Sequence, residues 1–282
     1  MYEKIVVPLD GSKLAEVALP YAEELAAKIG SEIVLLSVLE STEESEYQKH
    51  QIYTDKVVKV TKLHAKKYLE ESGEKIIDVG TATRIGNPAE GIVEYVIKGQ
   101  DSLNCKLIVM ATHGRSGIGR WAVGSVADKL VRATIKQPMM LIRAKGIRPD
   151  IRQKRILKKA LVPLDGSTRS EGVIPYICEI ASRLEMELTF LQIVSDANHT
   201  YSDAEAYLQS VCNKLEDEGI PAKYRVGVGA AADKIIDFAD ELAIDLVAMS
   251  TRGRNSANLW PLGGVAQKVL LAGNTPLMLV KG

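Results

Sequence analysis

Cysteine is scarce in this chain, and long apolar runs are missing. Only Cys105, Cys178 and Cys212 occur among 282 residues, and they lie far apart in apolar stretches. An odd, scattered set of thiols argues against a disulfide framework and against a thiolate metal site. The N-terminal residues lack a basic start followed by a long apolar run, and no stretch reaches the roughly 18 apolar residues of a membrane span. These absences predict a reduced, cytoplasmic protein without a membrane partner.

Net charge is also missing, because 36 Lys and Arg residues balance 36 Asp and Glu residues. A neutral chain exerts little long-range attraction on nucleic acid, so we do not expect a nucleic-acid partner. Basic residues are nevertheless concentrated between residues 147 and 159, close to Pro149. This composition predicts a linker over 147–159 that separates a first domain, 1–146, from a second domain, 160–282.

What the chain does contain is an internal repeat. The hexapeptide Val-Pro-Leu-Asp-Gly-Ser occurs at Val7–Ser12 and again at Val162–Ser167, an offset of 162 − 7 = 155 residues. Solenoid repeats are about 20 to 50 residues long, whereas this unit has the size of a whole domain. The sequence therefore predicts two copies of one domain.

Each half begins with a short apolar run, followed by Asp-Gly-Ser and then by apolar residues at helical spacing. Continuous runs of Ile, Val and Leu, such as Ile33–Leu39, are typical of parallel strands that are covered on both faces. The alternation predicts two doubly wound, Rossmann-like α/β domains, each with a five-stranded, mostly parallel sheet and four helices. The first helix is expected to end at Gly30.

The two halves differ in one segment and share an unusual last strand. The first half carries extra polar residues around 43–56, which predict a helix extension or a mobile loop. The fifth strands, Pro138–Arg143 and Pro276–Lys281, are short and begin with proline, a pattern of edge strands. Because an exposed edge invites pairing, we expect these strands to meet and form an intrachain pseudo-dimer. Association of whole chains into a homodimer is left open.

Ligands of such sheets bind beyond the carboxyl ends of the strands, which directs attention to the loops after strands one and four. The loop over 111–125 combines glycines, Arg115, Arg120, a hydroxyl and the positive end of the following helix, and it contains neither acid nor lysine. These features predict a cradle for an anion such as phosphate. A second loop, over 250–264, repeats the glycines, although duplication alone would also preserve a purely structural loop.

Several residues near these loops fit a structural role equally well. Asp10 and Asp165 stand before a helix, where Asp and Ser commonly serve as N-caps. Trp121 and Trp260 have the rings needed for base stacking, but tryptophans inside a loop more often anchor it to the core or to a partner. Among four histidines only His113 falls in the glycine-rich loop over 111–125, and the others lie in polar surroundings without metal-ligand spacing.

The motif of these loops resembles that of the universal stress protein family in its tandem two-domain form. Nucleotide-binding members of that family carry Gly, two residues, Gly, nine residues, and then Gly followed by Ser or Thr. Gly114, Gly124 and Ser125 match this pattern, with Ala111 in place of the first glycine. The second half departs further from it, because Gly264 stands where the hydroxyl is expected.

The resemblance implies an adenine nucleotide alpha hydrolase-like fold, with ATP, ADP or AMP at the strand ends and its phosphates along the glycine loop. Mg²⁺ would arrive with the phosphates rather than through protein ligands. Carried over by position, the residues of the first-domain site are Pro8, Leu9, Asp10, Val38, Ala111, His113, Gly114, Arg115, Gly124, Ser125 and Val126. Those of the second-domain site, expected to be weaker, are Leu164, Asp165, Ile193, Ser250, Arg252, Gly253, Arg254, Gly263 and Gly264.

The resemblance implies an ATP-binding module of the stress response, and we expect the first domain to be its main site. The sequence contains no Gly-x-Ser-x-Gly elbow, no Cys and His pair and no P-loop lysine, so efficient catalysis is not expected. Two alternatives stay open: a slow ATP hydrolase, and a nucleotide-free assembly module that works through its edge strands. The sequence identifies no protein partner.

Overall fold

The computed structural model describes residues 2–41, 43–69, 77–98, 105–114, 123–133, 136–143, 155–195, 200–253 and 262–282. The chain divides into two compact units, Met1–Ile156 and Leu157–Gly282. Ile156 and Leu157 are buried, so the end of the stretch predicted as a linker belongs to folded structure, while 147–154 lies outside the described residues. No described helix is both long enough and apolar enough to cross a membrane.

The first unit alternates strands and helices along the chain. Its strands are parallel and lie in the order β3-β2-β1-β4-β5. A 3-10 helix, Ala15–Ala18, precedes α1. The elements are β1 (Lys4–Pro8), α1 (Leu19–Ile29), β2 (Glu32–Leu39), α2 (Glu44–Leu69), β3 (Val79–Ile85), α3 (Pro88–Lys98), β4 (Cys105–Ala111), α4 (Ser125–Arg132) and β5 (Met139–Ile142).

The second unit repeats this topology, with parallel strands in the order β8-β7-β6-β9-β10. A one-turn helix, α5, stands where the first unit has its 3-10 helix, in addition to four longer helices. The elements are β6 (Lys159–Pro163), α5 (Thr168–Glu171), α6 (Ile174–Leu184), β7 (Glu187–Val194), α7 (Thr200–Asp217), β8 (Ala222–Val228), α8 (Ala231–Glu241), β9 (Leu246–Ser250), α9 (Gly264–Ala272) and β10 (Leu277–Val280).

The predicted doubly wound α/β fold, with five parallel strands in each half, is confirmed. The central strands are covered on both faces, as the residues Ile5, Val6 and Val7 of β1 show by having no exposed surface. The helix end expected at Gly30 is also observed, because Gly30 has a φ of 83° and donates its N–H to the carbonyl of Ala26 over 2.8 Å.

The fifth strands, β5 and β10, each stand at one end of their own unit's strand order. This agrees with the edge position that their leading prolines predict. Pairing of these two strands with each other stays a prediction.

A hydrogen bond in each unit marks equivalent turns of α2 and α7. The hydroxyl of Tyr53 donates to the carboxylate of Glu16 over 3.3 Å. The hydroxyl of Tyr207 donates in the same way to Glu171 over 2.8 Å. Since Glu16 and Glu171 both lie four residues after the repeated hexapeptide's serine, the two tyrosines occupy corresponding positions.

The extra length of the first half therefore lies later in α2 than the sequence predicts. From Glu44 onward the polar stretch 43–56 is helical, so the helix interpretation holds and the mobile-loop alternative does not. Beyond the matched tyrosines, however, α2 continues to Leu69 whereas α7 ends at Asp217. The added turns follow Tyr53. The sequence analysis placed them at 43–56 because that segment is more polar than the helical residues after Tyr53.

Two adjacent carboxylates of α1 are buried in the first unit. Glu23 and Glu24 expose only 2% and 1% of their surface. The carboxylate of Glu24 accepts the backbone N–H of Ile156 over 2.9 Å. Glu23 faces α2, where the Nδ1 atom of His64 lies 3.6 Å from its Oε2 atom. Burial raises the pKa of Glu23 to about 8, an increase that the Thr61 hydroxyl and the positive charge of Lys67 only partly offset.

The raised pKa of Glu23 predicts a pH-dependent stability with a definite sign. The folded state holds this proton up to about pH 8 while the unfolded chain releases it near 4.5, so the free energy of unfolding falls as pH rises between those values. Burial, and secondarily Lys67, lowers the pKa of His64. Protonation of His64 therefore reduces the free energy of unfolding only as pH falls below its ordinary pKa of 6.5. Toward pH 9 the buried thiols of Cys178 and Cys212, whose pKa values burial raises, add a slope of the same sign in wild type and in any Glu23 variant alike. Between about pH 7 and pH 8 the slope belongs mainly to Glu23.

We expect Glu23→Gln to remove this slope, because glutamine keeps the shape and has no charge to desolvate. Between about pH 7 and pH 8.5, wild type should lose about 1 kcal/mol of unfolding free energy more than the variant does. Urea unfolding at several pH values measures this difference. Glu90→Gln, which changes an exposed carboxylate on α3, is the control and should keep the wild-type slope. Equal slopes in wild type and Glu23→Gln would contradict the prediction.

Candidate functional site

The turn after the first strand is built in the same way in both units. The backbone N–H of Ser12 donates to the Asp10 carboxylate over 2.9 Å, and the Ser12 hydroxyl accepts the N–H of Ala15 over 3.2 Å. In the second unit, Ser167 donates to the Asp165 carboxylate over 3.0 Å and its hydroxyl caps the following helix. The capping oxygen thus belongs to serine, and the cap interpretation of the two aspartates is wrong.

The aspartates instead lie against the glycine that follows the fourth strand of each unit. A Cβ atom added to Gly114 would stand 2.1 Å from the Oδ2 atom of Asp10. A Cβ atom added to Gly253 would stand 2.1 Å from the same atom of Asp165. Because no side chain fits in that space, these glycines are required by the carboxylate of their own unit, before any ligand is considered.

A second glycine returns each loop to the end of the fourth strand. Gly124 donates its N–H to the carbonyl of Thr112, and Gly263 donates to the carbonyl of Thr251, both over 2.7 Å. A Cβ atom on Gly124 would lie only 2.7 Å from the Thr112 oxygen, so a larger residue would break this closure. The closure places the beginning of α4 next to the end of β4.

The N-terminus of α4 has no side-chain cap. Gly124 is its N-cap residue and makes no side-chain hydrogen bond, and Ser125 is exposed at the first helical position. The positive end of the helix and its first amides are therefore directed at whatever occupies the adjoining space.

That space is a cavity of about 780 Å³ in the first unit, at the carboxyl ends of β1, β2 and β4. Its volume is in the range of small-molecule sites. Arg115 lies outside the described residues. The other ten residues of the predicted first-domain site all line the cavity: Pro8, Leu9, Asp10, Val38, Ala111, His113, Gly114, Gly124, Ser125 and Val126.

His113 lies deep in this wall, with 6% of its surface exposed. Its Nδ1 atom is 2.9 Å from the hydroxyl of Thr112, a contact that orients the ring. Thr112 itself is almost fully buried and lines the same cavity. The first-unit loop therefore enters the site with two polar side chains already fixed by each other.

The structure adds wall residues that sequence reasoning missed. Asn87 caps α3 by accepting the N–H groups of Ala89 and Glu90 over 3.1 and 3.3 Å, which holds the start of α3 at the cavity. Four α2 side chains and two further α4 side chains, those of Ala127 and Lys129, also line it. Spacing of three or four residues along α2 was the only available signal, and it is equally typical of a solvated helix. The added residues include Glu46, Lys49, His50, Tyr53, Asn87, Pro88, Ala89, Ile92 and Lys129.

The cavity combines apolar strand-end residues with charges of both signs. Lys49 and Lys129 form no ion pair with any other described residue, while Glu40 and Glu46 contribute carboxylates to the same wall. Within the described ranges, no group of three His, Cys, Asp or Glu side chains is placed to hold a metal ion. The arrangement suits a partly apolar ligand with an anionic end at α4.

The predicted second-domain residues occupy the corresponding strand ends of the second unit. Leu164 and Ser250 are buried, Asp165, Ile193, Arg252 and Gly253 are half-buried, and Gly264 is exposed. Arg254 lies outside the described residues. The frame of aspartate and glycines is therefore shared, but the side chains around it differ.

Comparison with known proteins identifies the family. The sequence profile of the Universal stress protein family matches residues 1–143 and 157–281. Universal stress protein Slr1230 of Synechocystis sp. is 21% identical over 294 residues, which cover 98% of this chain and 99% of that protein. Universal stress protein MJ0531 of Methanocaldococcus jannaschii is 27% identical over 143 residues, which cover 45% of this chain and 84% of that protein.

The fold is also shared with a solved structure. The crystal structure of a universal stress protein from Archaeoglobus fulgidus aligns with a TM-score of 0.71 at 20% identity, covering 100% of this chain and 99% of that one. Because the family profile matches nearly the whole chain in two consecutive regions, this protein belongs to the universal stress protein family.

Proposed function

We propose that this protein binds ATP, or another adenine nucleotide, in the cavity of its first unit and serves as a nucleotide-dependent module of the stress response. The observation that carries the proposal is the cavity itself, which gathers the predicted strand-end and glycine-loop residues around the uncapped start of α4. A protein partner would then bind according to whether nucleotide has ordered the loop over 111–125. That loop lies mostly outside the described residues.

The phosphates are assigned to the α4 end of the cavity. The amides of Ser125 and Val126 and the hydroxyl of Ser125 are there, and a helix N-terminus favours an anion through both its free N–H groups and its dipole. Lys129 follows one turn later and adds a positive charge. Mg²⁺, in this proposal, is carried by the phosphates.

The adenine and ribose are assigned to the apolar strand ends. Pro8, Leu9 and Val38 offer a wall for the flat base, and the Asp10 carboxylate at the same edge accepts a hydrogen bond from a ribose hydroxyl. The fixed Gly114 allows the backbone to approach the ligand closely.

The Ser125 hydroxyl provides a direct test. We expect Ser125→Ala to weaken ATP binding to the full chain by about threefold to tenfold, because one hydrogen bond to a charged phosphate is lost. Calorimetric titration measures the change. Ser182→Ala, which removes an exposed hydroxyl from α6, is the matched control and should bind as wild type does. Unchanged affinity in Ser125→Ala would contradict the assignment of the phosphates to α4.

The first unit is proposed to bind more tightly than the second. Gly264 has no hydroxyl at the position of Ser125. Lys268, the counterpart of Lys129, is already paired with Asp233 at 2.7 Å. Counting back from the matched tyrosines, Asp203 stands where Lys49 lines the first cavity. Each difference removes a favourable contact for an anion from the second unit.

Gly264→Ser should restore one of these contacts. A Cβ atom on Gly264 would meet nothing within 4 Å, so the serine fits without displacing a neighbour. We expect the second site to gain about threefold to tenfold in ATP affinity, again the worth of one such hydrogen bond. Gly264→Ala, which adds the Cβ without the hydroxyl, is the control. If both variants bind ATP alike, or if wild type already binds two nucleotides with equal affinity, the proposed ranking is wrong.

A slow ATP hydrolase is the second candidate, favoured by the presence of Glu46 and His50 in the cavity wall. Either side chain is of a type that can accept a proton from an attacking water. Phosphate release that requires Mg²⁺ and disappears in Gly124→Val would support hydrolysis, because valine cannot fit beside the Thr112 carbonyl. Binding of ATP without release of phosphate would support the regulatory module. Absence of ATP binding at millimolar concentration would support the nucleotide-free assembly module instead.

A further inference from the structure

We propose that the outer face of α2, formed by Ile52, Lys56, Lys59, Val60, Leu63 and Lys66, docks the protein on an anionic phospholipid surface. None of these six residues lines the nucleotide cavity, and the proposed nucleotide function does not need them. The second unit has no helix surface of this length, because α2 continues further beyond Tyr53 than α7 does beyond Tyr207.

Large aliphatic side chains are unusually exposed on this face. Ile52 exposes 72% of its surface, Leu63 63% and Val60 39%. Ile52 and Leu63 are 11 residues apart, which is three helical turns and about 16 Å, so their side chains point in nearly the same direction. Such a row leaves apolar surface in water, and exposed apolar patches mark interaction sites.

Positive charge predominates beside this apolar row. Lys56, Lys59 and Lys66 are exposed, and Asp55, which is also exposed, is the only acidic residue from Ile52 to Leu69. Within the described ranges these lysines form no ion pair. A lysine can lie with its apolar stem along the surface while its ammonium group reaches an anion, so the face offers both apolar and ionic contacts.

The fold itself does not require these residues. The opposite side of α2 provides the contact with the core, through the buried residues Val57, Thr61, Ala65 and Tyr68. The outer side chains contribute less to the core than this inner row, and Ile52 and Leu63 leave most of their surface exposed.

The composition favours a lipid surface over a protein partner. Protein interfaces are enriched in aromatic residues and arginine and depleted in lysine, whereas this face has three lysines and neither arginine nor an aromatic ring. A convex helix with aliphatic side chains between lysines fits a flat anionic surface, where the chains enter the headgroup region and the ammonium groups meet phosphates. Such peripheral contact would correct the prediction that the protein has no membrane partner.

Vesicle flotation of the full chain tests the proposal. We expect the protein to float with vesicles of phosphatidylcholine and phosphatidylglycerol in equal parts, to remain unbound with phosphatidylcholine alone, and to release at high salt, where surface charges are screened. Absence of flotation with the mixed vesicles at low salt overturns it. Capture by immobilised polyglutamate without vesicle binding would also overturn it and would assign the face to an acidic protein.

Two sets of variants identify the face. The double variant Lys59→Gln and Lys66→Gln should lower partitioning by about tenfold or more, since each lysine near an anionic surface contributes about fivefold. The double variant Ile52→Ser and Leu63→Ser should lower it at low salt as well. Val228→Ser with Lys214→Gln, two exposed positions of the second unit, is the control. Because all these positions are exposed, thermal unfolding should be unchanged, and wild-type partitioning in both α2 variants would refute the proposal.

Discussion

The close contact between an aspartate after the first strand and a glycine after the fourth strand organises both units. Asp10 against Gly114, and Asp165 against Gly253, fix the distance between the two loops at the carboxyl edge of each sheet. Each carboxylate also accepts a backbone N–H within its own turn, from Ser12 or from Ser167. The contact with the glycine therefore cannot relax without opening that turn. The space left beside this contact is where the first unit forms its cavity.

The sequence was sufficient to predict the α/β fold and the glycine loops, but not the helical side chains that line the cavity. The alternation of strands and helices and the glycine loops follow from local patterns, namely apolar runs, Asp-Gly-Ser and the repeated spacing of glycines. These patterns need no knowledge of tertiary contacts. Gly114 was predicted only as part of an anion-binding glycine loop, whereas its nearest constraint is the Asp10 carboxylate. The α2 residues Lys49 and His50 were missed because a polar helical stripe looks the same whether it meets solvent or a cavity.

The two units show how one frame diverges by surface substitution. The units differ at three positions without a change of fold. Ser125 is replaced by Gly264, Lys129 by the paired Lys268, and Lys49 by Asp203. These replacements alter what the carboxyl edge can hold. The longer α2 extends the same divergence outward, because its inner side buries Glu23 and Thr61 while its outer side carries exposed aliphatic residues and lysines. Asymmetry between the units is thus a property of side chains and helix length.

A crystal structure of the full chain grown with ATP and Mg²⁺ tests the central claim most directly. Electron density for a nucleotide in the first unit, with phosphate oxygens within hydrogen-bonding distance of the amides of Ser125 and Val126 and the base against Val38, is the predicted result. Density that leaves this cavity without nucleotide, or that places the nucleotide only in the second unit, would contradict it.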